Sequence, residues 1–346
     1  MLPPLTGGME RLMQHSVEMK FISIALCTYN GAQYLQQQLD SIAGQTLLPG
    51  ELVACDDGSS DDTVAILKAF SGKAPFPVHI HINDSNLGVA RNFEKCISLC
   101  AGELIALCDQ DDAWKPDKLK TLAEALSNNP EAGFAFCDAE LVNENLASLK
   151  RHLWDEKPNN FSLKERQGFA HSGQLPHLLK KNMVTGACMM FRASLIPHIV
   201  PIPPFWIHDY WIATIAAAVG RRGIIVDEPL VLYRQHQNQQ IGVLKGSTIT
   251  RLRASIGQWP SLLQRDINRA ESLFNHLLEL EIGPDITDVV KQKQQFLAAR
   301  EGLLSSTQLA RVIPGIKLLL EGFYRRFSPY GYQAFLIDLM CTKTKG

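Results

Sequence analysis

The sequence lacks the features that identify membrane-spanning and nucleic-acid-binding proteins. It contains no uninterrupted run of about 18 apolar residues, the length that a transmembrane helix needs. Residues 1–20 carry charges at Glu10, Arg11 and Lys20 and have no apolar segment typical of a signal peptide. The 34 basic residues nearly balance the 35 acidic ones, giving a formal net charge of -1. We therefore expect neither a transmembrane helix nor a nucleic-acid partner.

The eight cysteines lack the paired spacing of a zinc site. Several of them, such as Cys27, Cys108 and Cys137, lie inside short apolar runs. Thiols in such positions are typical of buried side chains in a reducing compartment, because disulfide frameworks occur mainly in secreted proteins. This pattern predicts a cytoplasmic protein without structural disulfides.

Short apolar segments alternate with amphipathic helical patterns over residues 21–137. Between the apolar segments, residues such as Leu35, Leu39 and Ile42 recur at helical spacing. Strands that alternate with helices predict an α/β fold with a mostly parallel, doubly wound sheet. Ligands of such sheets bind outside the carboxyl ends of the strands. The predicted buried strands are 21–27, 51–55, 78–82, 104–108 and 133–137.

The pattern divides the chain into three parts. Residues 1–20 form an N-terminal extension, and residues 21–245 form the predicted α/β domain. Within that domain, residues 140–182 contain several glycine, proline and asparagine residues, which indicates a long insertion. Residues 246–346 are amphipathic and helix-like, so we expect a helical C-terminal subdomain.

Three carboxylates follow the predicted fourth strand in the run Leu107-Cys-Asp-Gln-Asp-Asp112. They repel one another, and a divalent cation between them would offset this repulsion. Oxygen ligands suit a hard cation such as Mg²⁺ or Mn²⁺, which often bridges to phosphates. The alternative is a solvated acidic turn that caps the helix beginning near Pro116. The run alone is compatible with both interpretations.

Six motifs occur in order along residues 21–242. They are Thr28-Tyr-Asn-Gly31, Asp56-Asp-Gly-Ser59, Asn86-Leu-Gly-Val-Ala-Arg-Asn92, Asp109-Gln-Asp-Asp112-Ala-Trp, Thr185-Gly186 and His208-Asp209. In this order they resemble glycosyltransferase family 2, and more narrowly its bacterial rhamnosyltransferase-like members. The resemblance implies a GT-A fold, a divalent metal (Mg²⁺ or Mn²⁺) and inversion at the anomeric carbon. It also implies a nucleotide-diphosphate-sugar donor of the UDP or dTDP type and a glycan or lipid-linked acceptor, with rhamnose as the candidate sugar.

The expected base pocket lies in the first two of these motifs. Asp56 or Asp57 can accept a hydrogen bond from the imide N–H of uracil or thymine. Thr28, Tyr29 and Asn30 would line the same pocket. The alternative for Asp57 is an Asx-turn with the glycine that follows it.

Two arginines, two aspartates and one histidine are candidates for the rest of the donor site. Arg91 can reach the diphosphate, although a solvated helix face is the equal alternative. Asp109 is expected to contact the ribose or to support a metal ligand, and Asp111 is expected as a metal ligand. In a late basic motif, Arg234 is expected at the phosphates, and His236 is expected at the phosphates or as a second metal ligand.

His208-Asp209 supplies a candidate base. An inverting transfer needs a group that takes the proton of the acceptor hydroxyl as this oxygen attacks the sugar carbon. Asp209 occupies the position of the family's base, and His208 stands where an acidic neighbour is usual. Asp209 can also cap the helix predicted over residues 207–219, and the two roles are compatible.

Two other functions are compatible with a doubly wound sheet that carries carboxylates. A nucleotidyltransferase would need a basic, glycine-rich loop after the first strand, and residues 27–31 contain no Lys or Arg. A non-catalytic nucleotide-sugar-binding module would not need Asp111 and Asp209. An NAD-binding domain is excluded because no G-x-G-x-x-G follows the first strand. Glycosyl transfer is therefore the leading interpretation.

The end of the chain combines apolar, aromatic and basic residues. Residues 312–320 are mostly apolar, and residues 323–327 add aromatic rings beside two arginines. Such a segment can lie in an anionic membrane interface, so we expect peripheral contact with the inner face of the plasma membrane. The alternative is a helix packed on the catalytic domain or in a dimer contact. Only Glu321 and Asp338 oppose the basic residues Arg311, Lys317, Arg325, Arg326, Lys343 and Lys345.

Overall fold

A computed structural model describes residues 21–156, 160–171, 173–236 and 248–341, with side chains from residue 258 onward in the last range. The predicted extension 1–20 and the basic residues Lys343 and Lys345 lie outside the described residues. The strands are β1 (Ile22–Thr28), β2 (Glu51–Asp56), β3 (Val78–Ile82), β4 (Leu104–Cys108), β5 (Ala113–Trp114), β6 (Phe134–Val142), β7 (Ser148–His152), β8 (Met189–Arg192) and β9 (Gly223–Arg234). The first eight helices are α1 (Ala32–Ala43), α2 (Thr63–Ser71), α3 (Val89–Leu99), α4 (Lys118–Ser127), α5 (Leu163–His171), α6 (Gln174–Lys180), α7 (Ile196–Ile199) and α8 (His208–Ala218). The C-terminal helices are α9 (Thr248–Glu279), α10 (Pro284–Ser305), α11 (Gln308–Leu320), α12 (Phe323–Phe327) and α13 (Tyr332–Met340).

All nine of these strands belong to one sheet, in the order β3-β2-β1-β4-β8-β6-β9-β5, with β7 paired to β6. Strands β1 to β4 are mutually parallel, as the alternation of strands and helices predicts. Strand β8 is antiparallel to both β4 and β6, and β6 is parallel to β9. The α/β fold is therefore confirmed, with a parallel half that carries the early motifs and a mixed half beyond it.

Helices cover both faces of the sheet, and the pleat of β1 divides the core between them. Ile24 and Leu26 face a layer that contains Leu35 of α1. Ala25, between them, faces the opposite layer, which contains Phe93 of α3 and Trp211 of α8. Both faces are apolar because strands covered on two sides carry continuous hydrophobic runs. This arrangement leaves the carboxyl ends of the strands as the accessible edge.

The predicted helical C-terminal region is present and packs against the α/β domain. Buried residues of α9 and α10, such as Leu273 and Val290, belong to the same apolar cluster as Phe93 and Trp211. Two polar contacts reinforce this packing, because Lys293 donates to the carbonyl of Leu179 at the end of α6 and α9 bonds to the loop before α8. Within the described residues, no helix has the length and apolar character that would let it span a membrane.

One buried carboxylate joins four of the C-terminal helices. Asp338 of α13 is fully buried, and its oxygens accept hydrogen bonds from Trp259 Nε1 at 2.6 Å and from Tyr324 Oη at 2.7 Å. Arg300 donates to the same carboxylate through Nε at 2.7 Å and Nη2 at 3.0 Å. Because each oxygen accepts two donors, the buried charge of Asp338 is fully compensated.

Arg311 connects the same group of helices by donating hydrogen bonds to backbone carbonyls. Its guanidinium is buried and donates to the carbonyl oxygens of Leu304, Ser306, Asp338 and Cys341. These carbonyls lie at the ends of α10 and α13, where intrahelical donors are missing. This burial shows that the expectation of an exposed basic surface is wrong for Arg311. Asp338, which was expected to oppose the basic residues of that surface, is buried as well.

We predict that Asp338→Ala destabilises the protein by about 3–5 kcal/mol, because it leaves the buried Arg300 without its counter-charge. Urea unfolding followed by circular dichroism measures this change. Glu321→Ala is the matched control: this carboxylate is exposed and lies 3.9 Å from Lys317, so its loss should cost less than about 0.5 kcal/mol. Equal stability of the two variants would contradict the structural role of Asp338.

Candidate active site

The three polar segments that follow β1, β2 and β4 meet at one edge of the sheet. These strands are neighbours in the order β2-β1-β4, and they are parallel, so their carboxyl ends coincide. Thr28 Oγ1 donates to Asp56 Oδ1 at 2.8 Å, and the Asn30 amide donates to Ser59 Oγ at 2.8 Å. The side chain of Asn30 in turn accepts from the Ser60 amide. Hydrogen bonds therefore join the segments that follow β1 and β2 at this edge.

Gln110 connects the segment after β4 to the segment after β1. Its Oε1 accepts from the Tyr29 amide at 2.8 Å, and its Nε2 donates to the Tyr29 carbonyl at 3.0 Å. Gly31 permits this approach, because a Cβ at that position would lie 2.1 Å from Gln110 Oε1. The ring of Tyr29 remains about half exposed above this contact. The role of Gln110 could not be predicted from the sequence, since its partner lies 81 positions away.

The two aspartates at the end of β2 organise the loops around them. Asp56 is fully buried and accepts from Thr28 Oγ1, Ser59 Oγ and the Ser59 amide. Asp57 accepts from the amides of Leu87 and Gly88 at 2.8 and 2.9 Å and from Asn83 Nδ2. These bonds fix the turn that begins α3.

The alternative interpretation of Asp57 from the sequence is an Asx-turn with Gly58, whereas the carboxylate of Asp57 bonds to the amides of Leu87 and Gly88, about thirty positions further along the chain. Asp56 and Asp57 thus hold the loops in which the base pocket is expected. The exposed ring of Tyr29 lies at its surface.

Arg91 lies at the start of α3, and more than half of its side chain is exposed. Its Nη1 is 2.7 Å from Glu94 Oε1 on the same helix. Glu94 also accepts from the Ile202 amide in the loop that leads towards α8. Among the described residues, no ion pair joins Arg91 to the carboxylates of the edge.

Asp111 and His236 approach each other closely, although 125 positions separate them. His236 Nε2 lies 2.8 Å from Asp111 Oδ2, and its ring packs on Tyr34 with 5.0 Å between ring centroids. A carboxylate oxygen and an imidazole nitrogen are compatible with Mn²⁺ or Mg²⁺, and such ions usually complete their shell with phosphate oxygens and water. Among the described residues, no group of three His, Cys, Asp or Glu side chains forms a closed metal cage. The pair supplies two ligands, so a metal held there would need further ligands such as phosphate oxygens and water.

Arg234 braces the loop that carries Asp111. Its side chain is fully buried, with Nε donating to the Asp111 carbonyl at 2.6 Å and Nη2 donating to Gln37 Oε1 at 2.6 Å. A third bond joins Nη1 to the carbonyl of Glu144, and the guanidinium lies 4.4 Å from the centroid of the Tyr34 ring. These contacts turn the guanidinium into the protein, so we assign Arg234 to the support of Asp111 in place of the expected contact with phosphate.

The other two carboxylates of the acidic run have different surroundings. Burial, together with the charges of Asp111 and Asp209, raises the pKa of Asp109 to about 7. Asp112 is buried more deeply, where burial and the neighbouring aspartates raise the pKa of its carboxyl. Its Oδ1 accepts from the Arg234 amide, and its Oδ2 has no hydrogen-bond partner among the residues that the structure describes.

A buried lysine lies beneath this run. Lys118, the first residue of α4, donates to the carbonyl of Ala187 at 2.6 Å, and its ammonium lies 3.3 Å from the centroid of the Trp114 ring. Its charge lowers the pKa values of Asp109 and Asp112, in opposition to the effect of burial. Lys118 therefore offsets part of the negative charge at the sheet edge, a role that its position in the sequence did not reveal.

Asp209 lies in the first turn of α8, with its carboxylate held by groups from another segment. The Gly186 amide donates to Oδ2 at 2.7 Å, and Asn182 Nδ2 donates to Oδ1 at 3.2 Å. Burial raises the pKa of Asp209 to about 6, although the bonds from Gly186, Tyr210 and Asn182 act to lower it. The carboxylate is thus fixed in direction and has a pKa suited to accepting a proton near neutral pH.

The neutral ring of His208 packs beside Gly186, which supports Asp209. It stacks on Phe93 with 3.7 Å between ring centroids, and its Nε2 lies close to Gly186, where a Cβ would approach to 2.8 Å. Burial lowers the pKa of His208 to about 3, so the imidazole carries no charge at neutral pH. Asp209 therefore has an uncharged neighbour in place of a second carboxylate.

Comparison with known proteins identifies relatives of this chain. The family model described as Glycosyl transferase family 2 matches residues 23–199, just over half of the chain. An uncharacterized protein of Mycobacterium tuberculosis is 28% identical over 218 residues, which cover 62% of this chain and 59% of that protein. The match thus spans less than two thirds of this relative's length. The dTDP-rhamnosyl transferase RfbG of Shigella flexneri is 27% identical over 221 residues, covering 63% of this chain and 73% of that protein.

Two solved structures share the fold over most of the chain. One is residues 1–349 of S. aureus TarS in complex with UDP-GlcNAc, with a TM-score of 0.51, 18% identity and coverage of 93% of this chain and 89% of that one. The other is the mannosyltransferase PcManGT from Pyrobaculum calidifontis in complex with GDP-Man and Mn²⁺. Its TM-score is 0.50 at 18% identity, covering 93% of this chain and 86% of that one. At these identities the likeness shows the fold alone, and it confirms the GT-A architecture.

Proposed function

The chain belongs to glycosyltransferase family 2, and we propose that it transfers a sugar from a nucleotide-diphosphate-sugar to a hydroxyl group of a glycan or lipid-linked acceptor, with inversion at the anomeric carbon. The observation that carries the proposal is the closeness of Asp209 to the loop Asp109–Asp112. Asp209 is bonded to Gly186, which lies in the turn directly before β8, and β8 begins beside the end of β4 that leads into the acidic run, so the candidate base faces the candidate donor site. Family membership favours this activity over nucleotidyl transfer and over a non-catalytic binding module.

On the donor side, the chain would bind the base beside Tyr29 and the diphosphate beside Asp111. Thr28, Asp56 and Asp57 hold the loops of the base pocket, and Gln110 ties that pocket to the acidic run. Asp111 and His236 would hold the divalent metal. A bound Mg²⁺ or Mn²⁺ would neutralise the charge that develops on the departing diphosphate.

On the acceptor side, Asp209 would take the proton of the attacking hydroxyl. Its carboxylate is held by Gly186 and Asn182, so it can point at one oxygen without reorganising. With a pKa of about 6, most of it is deprotonated at pH 7 and can act as a base. A second carboxylate at position 208 would raise this pKa further, and the neutral His208 avoids that effect.

The named relative guides the choice of donor. RfbG of Shigella flexneri is described as a dTDP-rhamnosyl transferase, which makes dTDP-rhamnose the first donor to test. UDP-sugars are the second choice, since the UDP-GlcNAc complex of TarS shares the fold. We place the reaction in the cytoplasm, at the inner face of the plasma membrane if the acceptor is lipid-linked.

The surface of α11 supports peripheral membrane contact. Leu309, Ile313 and Leu320 lie along one side of this helix and are 89%, 81% and 82% exposed. Spacings of four and seven residues put them on one face. Lys317 and Arg325 are exposed nearby and carry positive charge. Apolar side chains beside basic ones can enter an anionic lipid interface.

Asp111→Ala should abolish metal-dependent transfer, because the diphosphate would lose the group that holds its counter-ion. The assay is release of nucleoside diphosphate from a nucleotide-sugar, with and without EDTA. Asp288→Ala, at an exposed carboxylate of α10, is the control and should behave like wild type. Normal turnover by Asp111→Ala, or a wild type indifferent to EDTA, would show that the metal assignment is wrong.

Asp209→Asn keeps the shape of the side chain but removes the proton acceptor, so transfer should fall by about 10²–10⁴-fold. Donor affinity, measured by calorimetry, should change little because the base faces the acceptor. In wild type, the rate should decline as pH falls through about 6, where Asp209 becomes protonated. Retained transfer with lost donor affinity would contradict the assignment, and Asp227→Asn, at an exposed site 3.8 Å from Arg166, is the control.

If α11 binds membranes, the full chain should float with vesicles that contain an anionic phospholipid and should float less with neutral vesicles. A triple variant, Leu309→Gln, Ile313→Gln and Leu320→Gln, should remain in the dense fraction because it lacks apolar surface to insert. Leu163→Gln changes an exposed leucine elsewhere and serves as control. Equal flotation of the triple variant and wild type would exclude α11 as the contact.

A further inference from the structure

Helix α9 contacts the short loop that leads to the candidate base. This loop, residues 203–207, immediately precedes His208 and Asp209 in α8. Arg269 Nε donates to the carbonyl of Phe205 at 2.7 Å, and Ser272 Oγ accepts from Trp206 Nε1 at 3.0 Å. Helix α9 lies beyond the region that the family model matches, which ends at residue 199. The C-terminal region therefore contributes directly to the surroundings of Asp209.

The guanidinium of Arg269 lies among the residues that flank Asp209. It is 5.9 Å from the ring centroid of Trp206 and 5.7 Å from that of Tyr210. Its side chain is mostly buried, and its Nη1 lies 3.8 Å from Asp266 on the same helix. The Tyr210 amide in turn donates to the carboxylate of Asp209. Arg269 thus contacts residues that precede and follow Asp209 in the sequence.

Other contacts attach α9 to the same surface independently of Arg269. His276 Nε2 lies 2.6 Å from the carbonyl of His198, and its ring packs on Trp211 with 5.0 Å between centroids. Leu273 and Leu277 add fully buried apolar surface. Because these contacts remain when Arg269 is replaced, the helix should stay in place and a local effect on the loop can be measured.

We propose that Arg269 is a positioning residue of the transfer reaction, which fixes the loop 203–207 through the Phe205 carbonyl and places a positive charge beside the catalytic carboxylate. The proposal rests on the assignment of Asp209 as the base. It has two separable parts. The planar guanidinium fork fixes geometry, whereas the positive charge acts at a distance on Asp209.

The charged groups around Asp209 determine the direction in which a replacement of Arg269 shifts the pKa of Asp209. Asp109 faces it from the acidic run, His208 is neutral, and Arg269 faces it from α9. The charged groups that face Arg269 itself are Arg265, Asp266 and Lys293. Since the charge of Arg269 lowers the pKa of Asp209, its removal raises that pKa. The base then becomes protonated at a higher pH, and the acidic limb of the rate profile moves upward.

Three full-length variants separate the two parts, with nucleoside diphosphate release from a nucleotide-sugar as the assay. Arg269→Met should lower kcat by about 10–100-fold, because small displacements of a catalytic group are costly, and should move the acidic limb to higher pH. Arg269→Lys keeps the charge but not the fork, so kcat should fall while the limb stays at the wild-type pH. Donor KM should stay within about two-fold in both. Arg265→Met, at an exposed arginine on the same helix, should match wild type.

Outcomes that contradict the proposal are equally specific. A folded Arg269→Met enzyme with wild-type kcat and an unshifted acidic limb overturns it. A loss confined to melting temperature or donor KM also overturns it, because that is the result of a purely structural role.

A second measurement does not depend on turnover. The Gly186 amide bonds to Asp209, so its hydrogen exchange reports the position of the carboxylate. Exchange at Gly186 and Trp206 should accelerate in Arg269→Met and not in Arg265→Met. Equal exchange in the two variants overturns the proposal. A wild type that releases no nucleoside diphosphate from any nucleotide-sugar would instead overturn the proposed function.

Discussion

The concentration of negative charge at one edge of an apolar sheet is the constraint on which the site depends. Asp109, Asp111, Asp112 and Asp209 converge there, and burial raises the pKa values of three of them. Several groups offset this charge. Lys118 lies beneath the acidic run, the buried Arg234 braces its backbone, and His236 contacts Asp111. The remaining negative charge favours a divalent cation and its phosphate ligands, which are the partners that the proposed reaction requires.

The topology of the sheet explains how distant segments meet at this edge. The parallel order β2-β1-β4 brings three early motifs together, whereas antiparallel β8 starts near the same edge, immediately after Gly186 and Cys188. Gly186 can therefore hold Asp209 of α8 opposite the acidic run. Strand β9 ends at Arg234, which places His236 beside Asp111. The candidate base and His236 are thus positioned by the mixed half of the sheet, whereas Asp111 follows β4 of the parallel half.

The sequence predicts the parts of this site that are local. Buried strands followed by acidic or hydroxyl residues predict both the parallel half of the sheet and its functional edge. The spacing of residues along the chain does not reveal contacts between positions that are far apart in the sequence. The roles of Gln110, Lys118 and Arg269 could therefore not be predicted. Charge alone also misassigned Arg311, because basic residues near apolar ones can lie inside a helix cluster as well as on its surface. Burial decides between the two, and burial depends on the tertiary packing of α10, α11 and α13.

We propose that an inverting sugar transfer takes place between Asp209 and the acidic run. Proton NMR of the reaction with dTDP-rhamnose, and then with UDP-sugars, tests this claim most directly. The spectrum shows both the release of nucleoside diphosphate and the anomeric configuration of the sugar in its first product. We expect release that requires a divalent metal and a product anomer opposite to that of the donor. A product that keeps the donor's configuration, or no release from any nucleotide-sugar, would contradict the account.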